Sequence, residues 1–278
     1  MSSLYEAVTE ARTLLFVPGN RPDRFPKAVD SGADIVVFDI EDAVAPAEKD
    51  QARDNIGAWL DEGGSGIVRI NDDATPWYRY DLEMLAGRGC GVMVPKVTCP
   101  RQVRQVIDVM RPEACVMPLL ELATGIVDAR DICSVPGVTR AVFGNADLGR
   151  ELGVDHADRD AMFFARSQVV MASRAAGITP PVDGVTTAIE DLDLVRADAE
   201  HAAKLGFTGK LCLHPRQVKL VAEAFGPSAE EVRWARAVID AFETGSMTAI
   251  EGEAVGKPIV ARARLVLDRI DRGRVAEA

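Results

Sequence analysis

Short apolar runs alternate with amphipathic stretches along most of the chain. Residues 13–17 (TLLFV), 35–38 (IVVF), 67–70, 91–97, 115–120, 141–143, 180–185 and 209–213 are continuously apolar or nearly so. Runs of this length, rich in β-branched residues and bounded by glycine, proline or charge, predict strands buried on both faces of a parallel sheet. Helical patterns fill the intervals, at 21–28, 48–60, 76–86, 101–110, 125–132, 158–176 and 191–205. In 101–110, for example, Val103, Val106, Ile107 and Met110 share one face. Eight strands alternating with helices in roughly 215 residues imply right-handed βαβ units, and that length suits a (β/α)8 barrel. An open doubly wound sheet is the alternative, but no GxGxxG follows the first strand. Residues 227–278 are surplus to a barrel and read as a helix near 230–242, a glycine-bearing loop at 245–256 and a helix after Pro258. The expected organisation is a catalytic barrel over 1–226 and an extension over 227–278 that caps a neighbouring subunit.

The strand ends carry the candidate chemistry. In a (β/α)8 barrel the C-terminal strand ends share one face, where active sites are built. Here they bear Asp39, Glu41, Asp42, Arg69, Lys96, Glu121, Asp147 and His214. Three carboxylates where the buried strand 35–38 emerges repel one another, and a cation or cationic substrate relieves that. Carboxylate ligands suit a hard cation such as Mg2+, which takes one or two of them plus waters and substrate oxygens. Glu121 and Asp147 end consecutive strands and can converge on one ion, with the 39–42 group holding its waters. Arg69 offers a planar fork for a substrate carboxylate, or simply a partner for a neighbouring acid. His214 precedes Pro215 and reads as a turn residue, while His156 and His201 read as surface residues on polar stretches. With three histidines and five scattered cysteines, zinc has poor ligands. The stretch GNAD reads as a small-residue loop around Asp147. A net charge of −11 argues against nucleic acid or an anionic membrane as partner. No apolar run approaches membrane-spanning length, and residues 1–11 lack the apolar segment of a secretory signal. The expectation is a cytoplasmic protein with reduced cysteines.

Seven segments in order carry a family likeness: LLFVPGNRPDRFPKA (14–28), VVFDIEDAV (36–44), VRIN (68–71), VPKV (94–97), LLELATG (119–125), FGNADL (143–148) and GFTGKLCLHPRQV (206–218). Together they resemble the citrate lyase beta subunit family of aldolases, which includes malyl-CoA and citramalyl-CoA lyases. The resemblance implies a (β/α)8 barrel assembled as a homotrimer or hexamer. It implies Mg2+ held by Glu121 and Asp147, with Glu41 and Asp42 in the outer shell, and the catalytic residues expected are Arg69, Asp39, Glu41 and Asp42. Arg69 would clamp the oxo-acid carboxylate, with Lys96, Asn145 and Ala146 completing the substrate site. Arg24 and Lys27 would take the CoA phosphates. The implied reaction is a reversible Claisen-type split of a short 3-hydroxyacyl-CoA into an acyl-CoA and an oxo-acid. One departure stands out. Many relatives carry a C-terminal G-x-M-[VI]-D-x-P segment whose aspartate serves acid–base chemistry in an adjacent subunit, whereas this chain reads GEAVGKP (252–258), with Gly256 at that aspartate's place. Glu251 and Glu253 are the candidate replacements. A CoA-independent aldolase and a non-catalytic binder of metal and oxo-acid are therefore the alternatives.

Overall fold

The computed structural model describes residues 4–110, 114–244 and 257–275. Eight parallel strands close into a barrel in chain order: β1 (Thr13–Pro18), β2 (Ile35–Asp39), β3 (Ile67–Arg69), β4 (Gly91–Val94), β5 (Val116–Leu120), β6 (Arg140–Phe143), β7 (Thr179–Asp183) and β8 (Gly209–Cys212). β8 returns to β1, with Thr13 beside Lys210 and Leu15 beside Cys212. The expected barrel is the observed one. β4 is shorter than its apolar run, because Pro95 donates no ladder hydrogen bond and Lys96 turns into the left-handed region at φ 52°.

Alternate strand residues fill the interior. Leu14, Ile35, Val37, Ile67, Met93, Cys115, Met117, Leu119, Val142, Val182 and Leu211 form one buried cluster, closed by Val8 and Ala11 at its N-terminal end. Val8 belongs to a short helix, α1 (Leu4–Glu10), which the polar reading of the first eleven residues did not anticipate. Arg140 fastens it. That fully buried side chain donates to the carbonyls of Val8 (3.0 Å), Ala11 (2.7 Å) and Pro180 (2.7 Å), and to Thr208 Oγ1 (2.7 Å).

The outer helices are α2 (Phe25–Val29), α3 (Lys49–Asp61), α4 (Tyr78–Leu85), α5 (Pro100–Ile107), α6 (Ala123–Val127), α7 (Ala129–Cys133), α8 (Asn145–Leu152), α9 (Arg159–Ala176), α10 (Leu192–Leu205) and α11 (Pro215–Ala224). Two of these correct the sequence reading. The single helix expected over 125–132 is two short ones, and the GNAD loop is instead the start of α8. Asp147 thus occupies the first turn of a helix, where the backbone dipole favours a carboxylate.

Compactness divides the chain between Ala222 and Glu223. In the second unit α12 (Ala229–Glu243) and α13 (Lys257–Val275) pack through Ala235, Val238, Val260, Ala263 and Val266. Ser228 caps α12, accepting the Glu231 amide while Glu231 reaches back to the Ser228 amide. Glu251, Glu253 and Gly256 lie outside the described residues.

Candidate active site

Asp39, the last residue of β2, is buried and saturated with donors. It accepts the backbone N–H groups of Glu41 (2.9 Å) and Ala43 (3.0 Å), and Arg69 grips it in a fork, Nε to Oδ1 at 2.8 Å and Nη2 to Oδ2 at 2.7 Å. Burial pushes the carboxyl up, but the Arg69 charge and these hydrogen bonds outweigh it and hold Asp39 below the usual range. Arg69, ending β3, has its guanidinium 4.7 Å from the Phe16 ring centre. Its Nη1 lies 3.1 Å from Glu41 Oε2. Glu41 is buried as well, and its other oxygen meets the Lys96 ammonium. Burial raises the Glu41 carboxyl despite both cations.

Glu121 follows β5 and is almost wholly buried. Its Oε1 accepts the Lys96 backbone N–H at 2.8 Å. Burial first, then the neighbouring charges of Glu41 and Asp147, push its carboxyl up to about 8 against the pull of Arg69. The Glu121 side chain runs against Gly144: a Cβ there would come within 2.4 Å of the Glu121 Cβ and 2.7 Å of its Oε2. Asp147 pairs at 2.6 Å with Arg150, itself largely exposed. Asn145 is buried with both ends of its amide committed, Nδ2 donating to the Val185 carbonyl (3.0 Å) and Oδ1 accepting the Val185 N–H (2.9 Å). The amide locks the start of α8 to the segment after β7.

A cavity of about 280 Å³ opens among these groups. Asp39, Asp42, Arg69, Glu121, Asn145, Ala146 and Asp147 line it, with Phe16, Leu119, Leu211 and Leu213 as apolar wall. Glu41 and Lys96 face a neighbouring cavity of about 310 Å³, shared with Asp42, Lys49, Asn71, Asp72 and Trp77. Arg24 and Lys27 are exposed on the segment after β1 and line neither cavity. His214 is the turn residue expected, its Nδ1 accepting the Arg216 N–H at 3.2 Å. His156 and His201 are half-buried rather than on the surface.

Two residues escaped the sequence reading. Phe16 looked like one more strand residue, yet it stacks on Arg69. Lys49 looked like a polar residue opening a helix, yet it is buried and donates to the carbonyls of Ile40 and Glu41, both at 2.7 Å. No local pattern announces either contact, because both partners are remote or are backbone.

The charges around Glu121 bear on a metal. Arg69 and Lys96 offset Asp39 and Glu41, the buried Lys49 ammonium lies near both, and Arg150 meets Asp147 at 2.6 Å. Glu121, pushed up to about 8 by burial and by the charges of Glu41 and Asp147, is the group that a cation bound beside it would ionise. Among the described residues, no group of three or more His, Cys, Asp or Glu side chains is arranged to hold a metal. Glu121 and Asp147 line the same cavity, and a set of two carboxylates is chemistry that suits Mg2+ better than structural zinc.

Residues 12–215 match the family described as HpcH/HpaI aldolase/citrate lyase. This chain belongs to that family. Among the family's curated proteins, it is 37% identical over 275 residues to a citrate lyase subunit beta-like protein of Deinococcus radiodurans, covering 92% of this chain and 96% of that one. It is 35% identical over 271 residues to a (3S)-malyl-CoA thioesterase of Cereibacter sphaeroides, covering 94% of both. A solved family structure, protein CitE from Mycobacterium tuberculosis in complex with magnesium, acetoacetate and coenzyme A, superposes with a TM-score of 0.84 at 33% identity, over 95% of this chain and 99% of that one.

Proposed function

We propose that this chain is a Mg2+-dependent carbon–carbon lyase that splits a short 3-hydroxyacyl-CoA of the malyl, citramalyl or citryl type into an acyl-CoA and an oxo-acid. The observation that carries the reading is the pair of carboxyls Glu121 and Asp147 on one cavity wall with the Arg69 fork, Glu121 being buried and raised by its acidic neighbours. Glu121 and Asp147 would hold the ion, with Glu41 and Asp42 beyond them. Bound there, Mg2+ supplies Lewis acidity toward the oxygen on the carbon that becomes the ketone.

The chain's own groups do the rest. Arg69 has N–H groups beyond those engaged by Asp39, and they are the donors for the substrate carboxylate. Asp39 acts through Arg69, fixing its plane. Asp42 is exposed, lines the cavity and lies 3.7 Å from the Lys96 ammonium. It is the carboxylate that accepts the hydroxyl proton as the carbon–carbon bond breaks. The bonding pair then goes to the carbon beside the thioester, which must be protonated, and Glu251 and Glu253 are the groups to test as that acid. Arg24 and Lys27, exposed and cationic, are the CoA phosphate contacts. A cytoplasmic location and assembly into a homotrimer or hexamer, with the C-terminal unit on a neighbouring subunit, belong to the same reading. Among the described residues no helix is long and apolar enough to cross a membrane.

A second reading, thioester hydrolysis, is favoured by the 35% identity to the malyl-CoA thioesterase. A mass-spectrometric screen with Mg2+ against malyl-, citramalyl-, citryl- and hydroxymethylglutaryl-CoA separates the two. Acetyl-CoA with an oxo-acid is the expected result. Free CoA with the intact hydroxyacid would replace the lyase reading by the hydrolase one. No product from any substrate, with oxaloacetate still bound in the presence of Mg2+, would leave a CoA-independent aldolase or a binding protein.

A further inference from the structure

Among the described residues, Lys96 is the one non-glycine residue with positive φ, at 52°. Lysine is poorly suited to that region. It lacks the short polar side chain with which Asn or Asp offsets the contact between Cβ and carbonyl. Such a conformation persists only where the surroundings impose it, and these positions cluster at functional sites.

The surroundings here are specific. Pro95 ends β4 immediately before, and α6 presses on the residue immediately after. A Cβ on Gly125 would come within 2.1 Å of the Val97 carbonyl oxygen, so that carbonyl has no room to swing outward. Between these constraints the Lys96 N–H is aimed at Glu121 Oε1, at 2.8 Å. Its side chain leaves in the other direction, to Glu41 on the β2 side of the barrel and into the neighbouring cavity. It does not line the cavity shared by Arg69, Glu121 and Asp147.

We propose that Lys96 is a positioning residue, and that its left-handed backbone, rather than its charge, sets the orientation of Glu121. The turn after β4 holds one Glu121 oxygen and leaves the carboxylate fixed for a ligand in the cavity. The Mg2+ readout of this proposal rests on the reading of Glu121 as a metal ligand.

Three substitutions that all remove the ammonium separate backbone from charge: Lys96→Gly, Lys96→Asn and Lys96→Val. Glycine and asparagine accept the left-handed region, and β-branched valine resists it. Isothermal titration with Mg2+ should find K96G and K96N within about threefold of the parent, and K96V weakened about tenfold or more with its circular dichroism unchanged. Equal weakening in all three would overturn the proposal in favour of a charge effect, and so would parent-like affinity in K96V. Crystal structures of K96G and K96V test the same point without metal. Glu121 should keep its place in K96G and be displaced in K96V, and an undisplaced Glu121 in K96V overturns the proposal. If the parent binds no Mg2+, the metal reading falls, while the Glu121 position in these crystals still decides the role of Lys96.

Discussion

Four donors converge on the Asp39 carboxylate, and the consequence is that Asp39 and Asp42, three residues apart, cannot do the same chemistry. Asp39 is buried, ionised and spent on Arg69 and two backbone amides. A carboxylate held this way is a poor base, because every lone pair it would offer is already bonded. Asp42 is the exposed one on the cavity wall. Asp42→Asn should therefore lower kcat by about 10²-fold while leaving Mg2+ affinity within a few-fold, read by steady-state kinetics beside calorimetry. The close approach at Gly144 gives a second prediction. Gly144→Ala puts a methyl group 2.4 Å from the Glu121 Cβ, and neither the buried glutamate nor the strand behind it can withdraw. Mg2+ affinity should fall by about 10-fold or more, at a cost in stability of about 1–3 kcal/mol, measured by calorimetry and urea titration on the same sample. The sequence flagged Asp147 and the GNAD stretch. It did not reveal that the glycine is there for Glu121, since the two are 23 positions apart and meet only across the β5–β6 pair.

At the scale of elements, β7, β8 and α9 are joined by one buried anion. Asp183 accepts Lys210 Nζ at 2.7 Å and Arg166 Nε at 2.9 Å, and all three side chains are buried. Burial pushes the Asp183 carboxyl up, but Lys210 and Arg166 prevail and hold it below its ordinary value. Since the folded pKa is the lower one, the stability it contributes is fully present above the unfolded value of about 3.9 and is lost as pH falls through the folded pKa. Asp183→Asn strands two cations and should destabilise by about 3–5 kcal/mol at pH 7. Urea titrations at pH 7, 4 and 3 should find that deficit full at the first and shrinking toward the last, as the unfolded parent takes up the proton. A constant deficit down to pH 3 would mean that Asp183 titrates alike in the folded and unfolded chain, and would overturn the shift. None of these residues stood out in the sequence. Lys210 lies inside a strand otherwise read as apolar, and Arg166 is one of several charges on a long helix. Their pairing depends on the register that sets Asp183 beside Lys210.

At the scale of the whole molecule, α9 carries Phe163, Phe164 and Met171 with more than half of each exposed, an apolar surface unusual for a monomer. Combined with the family's implied assembly, it predicts that light scattering after size exclusion returns three or six times the 29.9 kDa chain mass, and that Phe164→Glu lowers that multiple. A monomeric parent would remove both the assembly and the role of the C-terminal unit as a cap on a neighbour.

The sequence by itself determined the barrel and the inventory of its mouth. Strand and helix periods are local, and βαβ handedness leaves few ways to arrange eight such units, so the acids and Arg69 at the strand ends were bound to share one face. What only the tertiary structure decided is how that inventory is divided. Arg69 is already paired with Asp39, Lys96 turns its ammonium to Glu41 and its amide to Glu121, and Asn145 spends its amide on Val185. Each of these outcomes depends on burial and on which neighbour arrives within 3 Å. Those quantities are set by packing between strands distant in sequence, and no residue pattern along one strand encodes them.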